Sequence, residues 1–140
     1  METIDPGEVT YEILPWRGIA RETMEKYGVR TAVDHEGKSI RIGFPYSNFV
    51  KVRHLDQKKF FSTGDARGDT SLFGMDVFSA GSNRSITITE GEMDALSVFQ
   101  VLGFPAVSVK GASSAKRDCA QNWHYLNSFE RIYLCFDNDQ

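Results

Sequence analysis

From Ser85 to Phe136 the chain alternates three short apolar runs with two helical stretches, and few folds accommodate that pattern. Ser85 to Thr89 is rich in β-branched residues and stops at Glu90-Gly91. Glu92 to Leu102 carries Met93, Leu96, Val98, Phe99 and Leu102 as its apolar positions, and Gly103 stands where a helix would be capped. Ala106 to Val109 reads as a second strand. Gly111 to Ser114 is a loop opening a second helix, roughly Ala115 to Tyr125, and Arg131 to Phe136 is a third strand. Strand, helix, strand, helix, strand predicts a parallel sheet with right-handed crossovers. The run Ile132 to Phe136 has no polar alternation, so it is expected to be buried on both faces.

The first half follows a different period. Tyr11 to Arg17 reads as an irregular lead-in. Ile19 to Tyr27 predicts a short helix that stops at Gly28, followed by an extended Val29 to Val33. Asp34 to Lys38 is turn chemistry. Ser39 to Tyr46 and Phe49 to Leu55 both alternate around Ser47-Asn48, which predicts a β-hairpin with Lys51 and Arg53 on one face. Gly64 to Thr70 reads as a polar loop. The pattern changes after Ala80-Gly81-Ser82, so two subdomains are expected, 1–82 and 83–140, within an α/β fold class.

Charge excludes some functions and leaves others open. The 140 residues carry 16 Lys and Arg against 19 Asp and Glu, a net charge of −3, which argues against a non-specific nucleic-acid coat. The balance is uneven along the chain. Lys51, Arg53, Lys58, Lys59 and Arg67 form a basic strip interrupted only by Asp56 and Asp65, and the C-terminal segment is acidic. No run approaches the length needed to span a bilayer, and Met1 to Thr10 is acidic without an apolar core, so neither a membrane span nor a secretory signal is expected. Two cysteines, Cys119 and Cys135, cannot supply a four-thiolate zinc site, and no zinc site is expected in this chain. Both read as small apolar fillers, and Trp16 and Trp123 as core.

Two acidic clusters sit just past strand ends. Glu90 follows the first strand of the βαβαβ pattern, and Asp137 and Asp139 follow the last. In open α/β sheets this edge is where ligands bind. Asp94 lies one helical turn beyond Glu90 and can share its face. Carboxylates that converge repel one another, and a hard divalent cation with oxygen ligands relieves the repulsion while keeping places for substrate phosphates. Gly111 to Ser114 enters its helix at the same edge, where backbone amides are placed to hold a phosphate.

These residues resemble a known family. Thr89-Glu90-Gly91-Glu92-Met93-Asp94 resembles the glutamate motif of the Toprim fold, and Phe136-Asp137-Asn138-Asp139 its Asp-x-Asp motif. Several features narrow the resemblance: Trp16-Arg17-Gly18-Ile19, Tyr27-Gly28, Lys51-Val52-Arg53, Ser62-Thr63-Gly64, Ser71-Leu72-Phe73-Gly74, and Gly111 to Lys116 with Cys119-Ala120. Together they resemble the Toprim-containing RNA polymerase domain of phage-type, Twinkle-like DNA primases and primase–helicases, from about Leu14 to the end.

The resemblance implies an N-terminal primase subdomain over 1–82 and a Toprim subdomain over 83–140. It implies a DNA primase that synthesises short RNA primers on single-stranded DNA. Glu90 is then expected to act as general base or metal ligand, Asp94 to assist, and Asp137 and Asp139 to bind Mg²⁺ or Mn²⁺. Lys51, Arg53 and a lysine at Lys58 or Lys59 match positions expected to contact triphosphate or nucleic-acid backbone. Arg67 belongs to the same strip, and Lys110 has a weaker place beside the glycine loop. The implied partners are a single-stranded DNA template, ribonucleoside triphosphates and a helicase domain or protein, with no membrane, in the cytoplasm of a bacterial host. The family normally continues past the Asp pair with further elements, so a C-terminally truncated Toprim sheet with an exposed apolar edge is expected. The alternatives are a non-catalytic Toprim-like DNA-binding domain attached to a replicative helicase, or a Toprim nuclease or topoisomerase.

Overall fold

The structure is a computed structural model that describes residues 9–136. It divides into two units, Met1–Ala66 and Arg67–Gln140, so the boundary lies ahead of the change of pattern seen in the sequence. The fold class is the mixed α/β arrangement expected, with one antiparallel and one parallel sheet.

The first unit is a five-stranded meander, β1 (Thr10–Glu12), β2 (Arg30–Val33), β3 (Ser39–Pro45), β4 (Phe49–His54) and β5 (Phe60–Gly64), in spatial order β1-β2-β3-β4-β5. Helix α1 (Arg21–Tyr27) is inserted between β1 and β2 and buries Thr23, Met24 and Tyr27. It ends at Gly28, whose φ of 74° no β-carbon-bearing residue adopts cheaply, and the Gly28 N–H closes on the Glu25 carbonyl at 3.1 Å. The β2–β3 turn is held by Asp34, whose carboxylate accepts from the Lys38 and Glu36 amides at 2.9 Å each. The Lys38 amide above all holds the Asp34 carboxyl below its usual pKa; desolvation opposes it, and the Glu36 amide adds a lesser lowering.

Two strands go unmarked in the sequence pattern. Within the lead-in, Thr10–Glu12 pairs with β2, and Phe60–Gly64 pairs with β4 along its whole length. Neither alternates visibly, because every residue of both is exposed. The register sorts side chains onto two faces. Thr31, Ile42, Arg53 and Phe60 form one cross-strand row, and Phe44, Lys51 and Ser62 the next on the same face. On the other face run Arg30, Gly43, Val52 and Phe61.

In the second unit β6 (Ser85–Thr89) lies between β7 (Ala106–Ser108) and β8 (Arg131–Cys135), all parallel. Helix α2 spans Glu92–Leu102 as expected. The second helix is broken: a 3₁₀ turn (Ala112–Ser114) leads into α3 (Ala115–Gln121), and Asn122 separates it from α4 (Trp123–Leu126). Leu72, Ile86, Ile88, Val107, Val109, Leu126 and Phe129 form the core. Phe73 adds an antiparallel bridge to Ser108 on the outer side of β7, with N–H···O distances of 2.8 and 3.0 Å. Strand β8 departs from expectation. It occupies an edge, and Leu134 is 70% exposed, because β6 flanks one side and no strand among the described residues flanks the other. Cys135 and Trp123 are likewise exposed rather than buried.

Candidate functional site

The acidic edge comes from the parallel register of the second unit. Thr89 stands opposite Cys135 and is the last residue of β6, so Glu90 leaves the sheet at the edge where β8 ends. Glu90 is half-buried and Asp94 is exposed. Asp94 folds back over the strand exit: a β-carbon built at Gly91 would lie 3.3 Å from Asp94 Oδ2, a tight approach that glycine relieves. Glu90 and Asp94 therefore share one end of α2. Glu92, between them, turns inward and is buried. The Thr89 hydroxyl donates to the Gly91 carbonyl at 2.9 Å, pinning the strand-to-helix turn.

Asp137 and Asp139 lie outside the described residues. Among the described residues no group of three or more His, Cys, Asp or Glu side chains is placed to hold a metal ion. The donors that are described, the carboxylate oxygens of Glu90 and Asp94, are the hard type that suits magnesium or manganese. The Gly111–Ser114 loop turns its own polar groups inward: the Ser114 amide and hydroxyl both approach the Gly111 carbonyl, at 3.3 and 3.4 Å.

The cation face lies in the first unit. Lys51 Nζ stands 4.9 Å from the Phe60 ring centre, and the Arg53 guanidinium 5.3 Å from Trp16 and 5.9 Å from Phe60. Trp16 also carries Arg17 at 4.5 Å. A tight turn builds this arrangement: Trp16 and Ile19 exchange both backbone hydrogen bonds, at 3.0 and 2.9 Å, across Arg17 and Gly18. Both central residues take positive φ, 50° and 82°, as a primed turn requires. Arg17 accepts that conformation without being glycine, a strain of the kind that collects at working sites. Arg53 Nε is buried and has no hydrogen-bond partner among the described residues. A ring face attracts a cation without accepting a conventional N–H···O hydrogen bond, so the two rings do not satisfy this donor. Trp16, read as core from the sequence, is half-buried beneath two guanidinium groups. Lys58 and Lys59 are exposed in the β4–β5 turn, and Arg67 is exposed at the start of the second unit.

Lys110 is placed differently from these cations. Its Nζ lies 3.2 Å from Asp118 Oδ2 and 3.3 Å from Asp69 Oδ1, and donates to the Ser71 carbonyl at 2.9 Å. Asp69 and Asp118 are buried, with side chains 1% and 0% exposed. Arg117 Nε donates to Asp118 Oδ1 at 2.8 Å, and the Asp69 carboxylate also accepts from the Ser71 amide at 2.8 Å. Asn122 reaches the Thr70 carbonyl at 2.7 Å. This network ties residues 69–73 to the start of β7's exit and to α3. Next to it, burial and then the Asp118 charge push the Cys119 thiol above its usual pKa. Nothing in the sequence pattern marks the network, since Asp69 looks like loop and Asp118 like surface helix.

Comparison with known proteins points to one family. A Toprim-like family model matches residues 87–140. The DNA helicase/primase of Enterobacteria phage T3 is 39% identical over 136 residues, covering 92% of this chain and 23% of that protein. The chain thus spans about a quarter of the length of that relative. The crystal structure of the primase fragment of the bacteriophage T7 primase-helicase superposes with a TM-score of 0.78 at 35% identity, over 97% of this chain and 62% of that one. A chain of the T7 lagging-strand DNA polymerase assembly with primase domains, an RNA/DNA hybrid and dTTP matches at 37% identity, with a TM-score of 0.76, over 94% of this chain and 69% of its own length. This chain belongs to the primase-domain family of the phage primase–helicases. The residues matched by the Toprim-like model take in most of β6, then α2, β7, α3, α4 and β8. Among the described residues no helix is long and apolar enough to cross a membrane.

Proposed function

We propose that this chain is part of a DNA primase catalytic domain, which joins ribonucleotides on a single-stranded DNA template by metal-dependent nucleotidyl transfer. The observation that carries the reading is the placement of Glu90, half-buried at the shared exit edge of two parallel strands, with Asp94 folded back beside the same turn. In this reading the 3′-hydroxyl of one ribonucleotide attacks the α-phosphate of the next, and pyrophosphate leaves. Glu90 takes up the hydroxyl proton or serves as a metal ligand, and Asp94, Asp137 and Asp139 add carboxylate oxygens. A bound Mg²⁺ or Mn²⁺ would supply neutralisation of the charge that builds on the transferring phosphoryl group.

Lys51 and Arg53 hold phosphate oxygens, with the unsatisfied Arg53 Nε–H as one donor. Lys58, Lys59 and Arg67 add weaker contacts to nucleic-acid backbone. Lys110, held between two carboxylates, acts instead as a tether for residues 69–73 at the carboxyl edge of the sheet. The substrates are ribonucleoside triphosphates and the template single-stranded DNA. The working context is a replication protein with a helicase domain or partner in the cytoplasm of a bacterial host.

The test is templated incorporation of labelled ribonucleotides with Mg²⁺, in the protein that carries this chain. Glu90→Gln is expected to lower the rate at least about 100-fold, with template binding and circular dichroism unchanged. A folded wild-type protein that binds template without incorporating nucleotides would replace this reading with a non-catalytic DNA-binding module.

A further inference from the structure

The face of the first sheet opposite Lys51 and Arg53 is hollow. A cavity of about 520 Å³ lies over it, within the size range of ligand pockets. Gly43 and Ala32 form part of its floor, with Gly28 at the end of α1 beside them, and these residues project little or no side chain. Larger groups stand around that floor. The register puts Tyr11, Ala32 and Arg41 in one row, and Arg30, Gly43, Val52 and Phe61 in the next. Tyr11 is 63% exposed and Phe61 41% exposed. No acidic side chain is among the residues that line the cavity, although the chain as a whole is acidic.

We infer that this hollow is a second nucleic-acid site that holds single-stranded oligonucleotide by base stacking. Three features select the ligand. An apolar floor with exposed rings accepts the flat faces of bases, and a ring accepts any base. Arg30 and Arg41 supply phosphate partners with no carboxylate in the lining to compete. Tyr11 and Phe61 stand on β1 and β5, the two outermost strands of the five. Four inter-strand spacings separate them, roughly 19 Å along the sheet at about 4.8 Å each. One nucleotide cannot touch both rings, whereas a single strand of roughly four nucleotides or more can. A peptide strand is disfavoured because β2, β3 and β4 are each paired on both sides, so the floor offers no free main-chain edge. The site is separate from the phosphate-holding face, because alternation sends Val50 and Val52 one way and Lys51 and Arg53 the other.

The experiment is anisotropy titration of a fluorescent oligothymidylate with the protein, over a series of KCl concentrations. Phe61→Ala is expected to weaken binding about tenfold. Arg30→Met and Arg41→Met are each expected to reduce the salt slope by about one. Lys51→Met, on the opposite face, reports any strand held there, and the Phe61 effect should persist in the Lys51→Met background. Crosslinking with 5-iodouracil oligonucleotides provides a readout independent of stability, with adducts expected on Tyr11 or Phe61. Adducts confined to Trp16 and Phe60, or wild-type affinity in Phe61→Ala, would overturn the inference. Displacement by thymidine monophosphate at the oligonucleotide's own affinity, or equally by polyglutamate, would overturn it too, in favour of a mononucleotide or a non-selective anion site. Because synthesis is not measured, the result stands or falls apart from the catalytic reading.

Discussion

Lys51 and Arg53 in the first unit and Lys110 in the second are cations of the same nominal charge in opposite surroundings. The first two lie against the rings of Phe60 and Trp16 at 4.9 to 5.9 Å. A ring's quadrupole attracts a cation but carries no net charge, so the ring contact does not neutralise the cation. Lys110 lies 3.2 and 3.3 Å from two buried carboxylates. With Arg117 on one of them, two positive and two negative groups cancel locally. The difference teaches that the surroundings of a cation decide whether its charge is cancelled locally. Rings hold a cation in place without cancelling its charge. Carboxylates consume it in return for fixing two chain segments.

The comparison breaks most readily on stability. Lys110→Met strands Asp69 and Asp118 without their shared partner, and urea denaturation should register a loss of about 3 to 5 kcal/mol. Lys51→Met, on an exposed ring, should stay within about 0.5 kcal/mol of wild type. Equal losses for the two variants would erase the distinction. Binding sharpens it next. Arg53→Met is expected to weaken triphosphate binding about tenfold, the scale of a lost charge-assisted hydrogen bond, and titration at several salt concentrations should show the slope falling by about one. The smallest effect tests the rings themselves. Trp16→Ala should cost roughly two- to fivefold in the same titration, with Trp16→Phe recovering most of it, because only the cation's support is removed. A Trp16→Phe variant as weak as Trp16→Ala would show that the indole contributes something other than its face.

Much of this arrangement is legible in the sequence, and the remainder is hidden for identifiable reasons. Helix α2 announces itself through its period and through Gly91 and Gly103 at its ends. The β3–β4 hairpin does so through alternation around Ser47-Asn48, which also puts Lys51 and Arg53 on one face. Glu90 is readable because a strand's end is readable. Strands β1 and β5 leave no trace because both are exposed along their length, so no burial imprints a period of two. The buried network is hidden for a deeper reason. Asp69, Lys110 and Asp118 are spread along the chain, and each alone looks like an ordinary surface charge. Only tertiary contact makes them a unit. The break at Asn122 belongs to the same contact, since its side chain donates to Thr70 and so holds the helix where residues 69–73 need it. Trp16 was misread because an aromatic residue near a turn reads as core, whereas here a strained turn lifts Arg17 over it.

The strand order of the first unit is also its order in sequence, β1-β2-β3-β4-β5. Each sheet neighbour is the next strand along the chain, with one helix as the longest detour, so little loop-closure entropy opposes assembly. The second unit must bring Asn122 to Thr70 across 52 residues and Lys110 to Ser71 across 39 before its buried charges meet. Rates of folding fall as contacts become less local. During synthesis the first sheet can therefore close once Gly64 has emerged, while the second unit waits for α3, holding apolar strands open in the meantime. Chaperone dependence, and aggregation when the chain is overproduced, should accordingly trace to residues after Ala66.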